Sequence, residues 1–305
     1  MKRILTNPIY VVLLAVLCNV LWGSAYPSVK IGYELFNITD SVFEKLFFAG
    51  LRFMAAGVMV LIVSWVTRRK IPRVSKNGTP YVLLMALIYT AVQYIFFYVG
   101  LSNTSGANGS IVNSIQTFFA VILAHFVYKD DKLNARKIIG TALGFAGVLA
   151  VTLGSGAAQM KLTGEGFILL AALSFVIGSM VSKKATQTDD ATSVTGYNLL
   201  LGGAILTATG LIGGGEFKTV TTAGIGVLAY LSFLSAAAFT IWTMLLQYNP
   251  IGKIAVFNFI IPVSGTLLSA AFLGEDIFKP RYLVSLVLVC AGIVIVNRNT
   301  KKYGE

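Results

Sequence analysis

Two asparagines occupy matching places in two similar stretches of the sequence. Asn113 and Asn258 are 145 residues apart, and each falls a few residues inside an otherwise apolar segment. A side-chain amide carries both donors and acceptors, so this pair could bind a zwitterion or a polar ring from two sides. Alternatively, each amide makes only a hydrogen bond between neighbouring helices, a contact worth about 0.6 kcal/mol on average. The sequence leaves both interpretations open.

Aromatic and hydroxyl side chains also lie deep in several apolar segments. Trp22 and Tyr26 are four residues apart, which is about one helical turn, and Ser24 lies between them. An indole face beside a hydroxyl could stack on an aromatic or hydrophobic ligand, or the same residues could simply pack between helices. The other candidates for such a lining are Gln93, Tyr98, Ser179 and Trp242.

Charged and titratable side chains are rare in the apolar segments. Arg52 shares a helical face with Glu44, which we take as the one carboxylate within a segment. Arg52 could bind the carboxylate of a ligand. We favour the alternative, in which it extends to the membrane surface or pairs with Glu44 or a backbone carbonyl. His125, the single histidine, could couple proton movement, but a histidine at the end of a segment is more often only solvated.

Long helices are needed to position these residues, and the sequence supplies ten candidates. The 305 residues are 56% hydrophobic and 12% charged, whereas a soluble chain carries about a quarter charged residues. A helix needs about 20 apolar residues to cross a bilayer. The candidate segments are roughly 9–30, 42–66, 80–101, 106–127, 137–154, 165–182, 194–213, 224–247, 253–273 and 282–297. The sequence therefore predicts an all-α integral membrane protein whose partner is the lipid bilayer.

The distribution of the net charge of +12 indicates a membrane protein. With the N-terminus inside the cell, seventeen lysines and arginines fall in inside segments and five in outside segments. This bias follows the positive-inside rule and predicts that both termini are cytoplasmic. The basic residues then meet anionic lipid headgroups, so nucleic acid is not an expected partner.

The sequence repeats itself with inverted orientation. Residues 101–151 resemble residues 246–296, with Asp131 matching Asp276 and Arg136 matching Arg281. The predicted segments place the loop of one copy inside the cell and the loop of the other outside. Two repeats of opposite orientation, predicted as residues 1–155 and 156–305, are typical of secondary transporters that open to each side in turn.

Other protein classes fit the sequence less well. An enzyme that acts on lipids would need a nucleophile or a cluster of histidines and carboxylates near the membrane surface. The sequence has no nucleotide-binding loop, and Cys18 and Cys290 lie within apolar runs, so neither a cofactor nor a metal is expected. A membrane scaffold or sensor remains an alternative, although no segment is long enough for a soluble docking domain.

Several motifs resemble the EamA-type family of the drug/metabolite transporter (DMT) superfamily. They are Trp22-Gly23-Ser24, Leu51-Arg52-Phe53, Gly100-Leu101 followed by Ser105-Gly106-Ala107, Phe272-Leu273-Gly274-Glu275, and Ala291-Gly292. The resemblance covers nearly the whole chain. It implies ten helices in two five-helix repeats, a central cavity between them, and a bacterial inner-membrane carrier that usually exports amino acids or other small metabolites. The chain departs from the family at Thr117, where a proline is common.

We therefore predict a secondary membrane transporter, a monomer or homodimer, that exports small neutral or zwitterionic metabolites such as amino acids or aromatic compounds. The amides and aromatic rings favour this cargo. A carrier of phosphorylated metabolites or nucleotide sugars is the alternative, but it would need several inward cations, and Arg52 is a single one.

Overall fold

Every regular element that the structure describes is a helix. The structure is a computed structural model that describes residues 2–39, 41–103, 112–152, 162–273 and 280–297. A short helix, Lys2–Thr6, precedes the main ones. The main helices are α1 (Pro8–Leu35), α2 (Val42–Arg68), α3 (Thr79–Leu101), α4 (Gln116–Val127), α5 (Ala135–Thr152), α6 (Leu162–Ala185), α7 (Ala191–Ile212), α8 (Thr222–Tyr248), α9 in two parts (Ile251–Ala255 and Ile260–Leu273) joined by a 3-10 turn (Val256–Phe259), and α10 (Pro280–Asn297).

Six helices, namely α1, α2, α3, α6, α7 and α8, are long and apolar enough to cross a membrane. Their order agrees with the predicted segments, and α2 begins at the predicted residue, Val42. The other four predicted segments coincide with α4, α5, α9 and α10, which do not reach this length and hydropathy within the described residues. The helical membrane fold is therefore confirmed, whereas ten spanning helices remain a prediction.

Local chemistry fixes both ends of α7. The carboxylate of Asp190 accepts hydrogen bonds from the backbone N–H groups of Thr192 and Ser193, at 3.0 and 3.2 Å, so it caps the first turn. After the last turn, Gly214 adopts a φ of 79°, a left-handed conformation that favours glycine.

The contacts between helices have the symmetry of two repeats. α2 packs against α7 and α5 packs against α10, so the second and fifth helices of each half pair with their own counterparts. α1 contacts α8 and α9, and α6 contacts the counterparts of those two helices, α3 and α4. Exchanging α1–α5 with α6–α10 leaves this contact pattern unchanged. Because α1 and α6 each contact the other half, residues of both halves meet in the centre.

Glycines allow the self-paired helices to approach closely. A Cβ on Gly203 of α7 would meet the backbone of α2 at Met54, and one on Gly50 of α2 would meet the backbone of α7. Gly140 of α5 and Gly292 of α10 face each other's carbonyl oxygens in the same way. Small residues at such crossings are typical of membrane helix bundles.

Polar contacts bring the ends of α2, α6 and α8 together with the starts of α1 and α7 at one end of the bundle, which we call the basic end. Arg68 pairs with Asp190 at 3.0 Å, and the Lys183 ammonium donates to the carbonyl of Asn249 at 2.8 Å. The amide of Asn249 donates to the carbonyl of Leu5 at 2.9 Å, which brings the N-terminal helix to the same end. The helices therefore alternate in direction, as the sequence predicts.

Candidate functional site

Five aromatic side chains from α1, α3, α6 and α8 meet in the interior. We call Trp22, Tyr89, Phe175, Phe239 and Trp242 the aromatic cluster. The ring of Trp22 lies 5.1 Å from that of Trp242, 5.4 Å from Phe239 and 6.0 Å from Phe175, in edge-to-face arrangements. Tyr89 lies 5.2 Å from Phe175 and 5.6 Å from Phe239. All five are buried, so the cluster forms an aromatic core to which both halves contribute.

The two indoles of the cluster carry donors that the protein does not satisfy. The Nε1 atoms of Trp22 and Trp242 are buried, and neither has a hydrogen-bond acceptor among the described residues. A buried donor without an acceptor costs about 1–3 kcal/mol. An acceptor supplied by a ligand or by water would remove that cost, so the cluster offers both aromatic surface and hydrogen-bond donors.

Arg52 lies beside this cluster and not beside its predicted partner. Its Nε donates to the hydroxyl of Ser235 on α8 at 2.8 Å, and its guanidinium carbon lies 5.0 Å from the ring centre of Phe53. Glu44 instead pairs with Lys218 at 3.0 Å and accepts the backbone N–H of Thr39. The pairing of Arg52 with Glu44 is therefore wrong. Eight residues of helix place Arg52 and Glu44 about 12 Å apart along the helix axis. Each side chain therefore binds a partner that lies nearer.

Phe53 makes the surroundings of Arg52 continuous with the aromatic cluster. Its ring lies 4.5 Å from Tyr94 and 6.1 Å from Phe239. Tyr94 in turn lies 6.0 Å from Tyr98. The arrangement thus places one cation beside two tyrosines and next to the aromatic cluster.

Of the repeat-matched amides, Asn258 is the more deeply buried. It is 2% exposed, it lies in the 3-10 turn of α9, and neither of its amide atoms has a hydrogen-bond partner among the described residues. The turn leaves the carbonyl of Ala255 available to the Thr117 hydroxyl of α4 at 3.3 Å. The turn packs among α1, α4, α5 and α10. Asn113 is half-buried just before α4, and whether it lines the same path remains a prediction.

The sequence matches the EamA-like transporter family over residues 9–153 and again over residues 162–298. The chain belongs to the EamA-like transporter family. Membership in this family points to a multi-pass membrane transporter rather than an enzyme. The two successive matches agree with the two-repeat contact pattern of the helices.

Individual relatives extend this comparison. The chain is 27% identical over 300 residues to a probable amino-acid metabolite efflux pump of Salmonella typhimurium, which covers 92% of this chain and 93% of that protein. It is 25% identical over 287 residues to a WAT1-related chloroplastic protein of Arabidopsis thaliana, covering 90% of this chain and 66% of that relative's length. A solved crystal structure superposes with a TM-score of 0.79 at 16% identity, over 94% of this chain and 98% of that one. That similarity shows a shared fold.

The remaining predicted lining residues of this EamA-like transporter divide into two groups. Ser179 donates to the hydroxyl of Tyr89 at 3.4 Å, and the buried Oε1 of Gln93 has no donor among the described residues, so both lie on the helices that form the cluster. Tyr26 is partly buried and packs against the same core as Trp22. Ser24 instead bonds the hydroxyl of Tyr230 at 2.7 Å on the more exposed side of α1.

His125 has structural contacts near the basic end. Its Nδ1 accepts the backbone N–H of Leu133 at 3.1 Å, and its carbonyl accepts the ammonium of Lys132 at 2.7 Å. Both bonds shape the loop between α4 and α5. Its predicted alternative role in coupling proton movement stays a prediction. Among the described residues, no group of three histidine, cysteine, aspartate or glutamate side chains could hold a metal ion.

Sequence reasoning missed several buried residues. Glu165 lies in the π-helical first turn of α6 and is buried, so Glu44 is not the one carboxylate within a predicted segment. Phe175 and Phe239 also escaped notice. Helical spacing could have found both, because Phe175 precedes Ser179 by four residues and Phe239 precedes Trp242 by three.

Proposed function

We propose that this protein is a secondary carrier that exports small neutral or zwitterionic metabolites, such as amino acids or aromatic compounds, by alternating access. The observation that carries the proposal is the aromatic cluster, to which both halves contribute and in which two indole N–H groups lack acceptors. A zwitterion or a polar aromatic molecule offers the missing acceptors together with apolar surface. The name of the Salmonella relative, an amino-acid metabolite efflux pump, supports the same cargo.

The contacts at the basic end support alternating access. Gly252, at the start of α9, donates its backbone N–H to Asp131 in the loop after α4, at 2.7 Å. The hydroxyl of Tyr128, at the end of α4, donates to the carbonyl of Met180 on α6 at 3.4 Å. Both bonds join the first half to the second near the basic end. A carrier of this kind opens such contacts when the site faces that side of the membrane.

The proposal includes an orientation and a membrane. The basic end faces the cytoplasm, both termini are cytoplasmic, and the membrane is the inner or plasma membrane of a cell. The concentration of lysines and arginines at that end supports this orientation through the positive-inside rule. The carrier works as a monomer or a homodimer, with two halves, residues 1–155 and 156–305, that move against each other.

Counterflow in proteoliposomes tests the function. Vesicles are loaded with pooled amino acids, purines, sugars and phosphorylated sugars, and exchange is followed by mass spectrometry. We expect selective exchange of amino acids or neutral aromatic compounds, strongly reduced in Trp242→Ala. Trp65→Ala is the matched control, because Trp65 is 54% exposed on the outer surface of α2. Exchange of phosphorylated cargo alone would contradict the proposed substrate class. Folded protein that exchanges nothing would indicate a scaffold or sensor.

A further inference from the structure

Arg52 is a buried cation deep in the bundle. It lies ten residues beyond the start of α2, about 15 Å along the helix, and is 3% exposed. The three ion pairs among the described residues are Arg68–Asp190, Lys137–Asp131 and Lys218–Glu44. No carboxylate in the described part of the chain therefore neutralises Arg52. A charge at this depth is usually functional, because an unneutralised ion is strongly disfavoured away from water.

The surroundings of Arg52 orient its guanidinium for a planar anion. Ser235 takes the hydrogen bond of Nε at 2.8 Å and itself donates to the carbonyl of Leu231 at 2.9 Å, so the acceptor is held in place. A guanidinium binds a carboxylate through parallel N–H groups in one plane. Two tyrosines lie near the guanidinium, because the ring of Tyr94 lies 4.5 Å from that of Phe53 and 6.0 Å from that of Tyr98.

Phe53 connects Arg52 to the aromatic cluster. Phe53 contacts Arg52 with its ring and lies 6.1 Å from Phe239, whose ring lies 5.4 Å from Trp22. A molecule with a carboxylate at one end and an apolar or aromatic group at the other would reach both sites. A molecule with only a positive charge would meet the repulsion of Arg52.

We propose that Arg52 binds the carboxylate of the transported molecule, and that it selects amino acids over their neutral-ended amides and over decarboxylated amines. This inference rests on the proposed function. Ser235 is the positioning residue that holds the guanidinium plane. The carrier consequently excludes organic cations, and its substrate class is small carboxylates with an apolar side chain.

The test compares acids with their amides. Counterflow of labelled phenylalanine is competed with phenylalanine, phenylalaninamide and phenethylamine, and the same is done with leucine and leucinamide. We expect the acid to compete at least about tenfold better than its amide in the wild-type protein. Arg52→Gln should abolish this preference, because competition by the acid becomes weaker while competition by the amide stays the same. Arg52→Lys should restore part of the preference. Arg68→Gln on the same helix is the control and should keep the preference.

Binding in detergent provides a second measurement. With Trp65→Phe, the remaining indoles are Trp22 and Trp242, so their fluorescence reports ligand binding in the cluster. If Arg52→Gln does not fold, Ser235→Ala decides, because it keeps the charge and removes one acceptor. Ser235→Ala should weaken the binding of phenylalanine several-fold and leave the binding of phenylalaninamide unchanged.

The outcomes separate this inference from the proposed function. Wild-type exchange of amino acids without an acid-over-amide preference overturns the role of Arg52 alone. A folded Arg52→Gln variant that keeps the acid-over-amide preference also overturns the role of Arg52. Absence of any exchange by the folded wild-type protein overturns the proposed function, and the inference with it.

Discussion

The carboxylate of Asp131 accepts the backbone N–H of Gly252 at 2.7 Å and also pairs with the ammonium of Lys137. Asp131 lies in the loop after α4, whereas Gly252 lies in the first turn of α9. One buried carboxylate thus links the fourth helix of the first half to the fourth helix of the second. Its repeat-matched residue, Asp276, lies outside the described residues, as do the motif residues Ser105-Gly106-Ala107, Gly274 and Glu275.

Replacing Asp131 with asparagine should loosen the closed basic end. The variant loses the charge-assisted bond to Gly252 and leaves the buried ammonium of Lys137 without its counter-ion. A reporter cysteine replaces Thr243, which is buried on α8 just below this end, after Cys18 and Cys290 are changed to alanine. We expect labelling by a membrane-impermeant maleimide to rise about fivefold, which corresponds to about 1 kcal/mol lost from the closed state.

The control for this prediction is the neighbouring carboxylate. Asp130 is exposed, so Asp130→Asn should leave the labelling rate unchanged. Equal rates in wild-type protein and Asp131→Asn would show that this bond does not hold the basic end closed.

Asp190 should make the stability of the protein depend on acid pH. Burial opposes its ionisation, but hydrogen bonds from Ser193 and Thr192 and the charge of Arg68 outweigh burial, so the pKa of Asp190 lies below its ordinary value. A carboxyl whose pKa is lowered by folding stabilises the protein above its unfolded pKa and loses that contribution as pH falls through the folded pKa.

Asp190→Asn should therefore lower the free energy of unfolding at pH 7 by up to about 1 kcal/mol, since it removes the charge that pairs with Arg68 while an asparagine oxygen can still cap the helix. The difference from wild type should shrink as pH drops below the ordinary aspartate pKa. Thermal unfolding in detergent at several pH values measures this. Glu216→Gln, in an exposed loop, is the control. A difference that stays constant down to the most acid pH would contradict the ionic contribution.

The sequence predicts the elements of this fold better than it predicts the neighbours of its buried polar residues. Hydropathy alone identifies α2 and α8 within two residues of their ends, because the bilayer imposes length and apolarity on each helix separately. The partner of Glu44, in contrast, does not follow from the sequence of one helix. Helical spacing placed Arg52 on the same face, but Lys218, which is distant in sequence, comes closer through the loop after α7. Only the assembled bundle shows that Arg52 has no carboxylate partner among the described residues.

The two cluster tryptophans should contribute through their N–H groups as well as their rings. Trp22→Phe and Trp242→Phe keep an aromatic ring and remove the Nε1 donor. Each should weaken amino-acid exchange about fivefold, the value of one hydrogen bond of about 1 kcal/mol. Concentration dependence of counterflow measures this, with Trp65→Phe as the control that should match wild type. Unchanged affinity in both cluster variants would show that the indole donors do not contact the substrate.

Two glycines test whether close packing of α2 against α7 holds the halves together. A Cβ on Gly203 would lie 2.5 Å from the backbone nitrogen of Met54, and backbone cannot move aside as a flexible side chain can. Gly203→Ala should therefore lower the free energy of unfolding by about 1–3 kcal/mol.

Gly226 is the matched control, since it also lies within a helix, α8, but a Cβ there has nothing within 4 Å. Gly226→Ala should raise that free energy by up to about 1 kcal/mol, because alanine favours the helix. Thermal unfolding in detergent distinguishes the two, and equal effects of both substitutions would show that helix propensity rather than contact between α2 and α7 governs stability here.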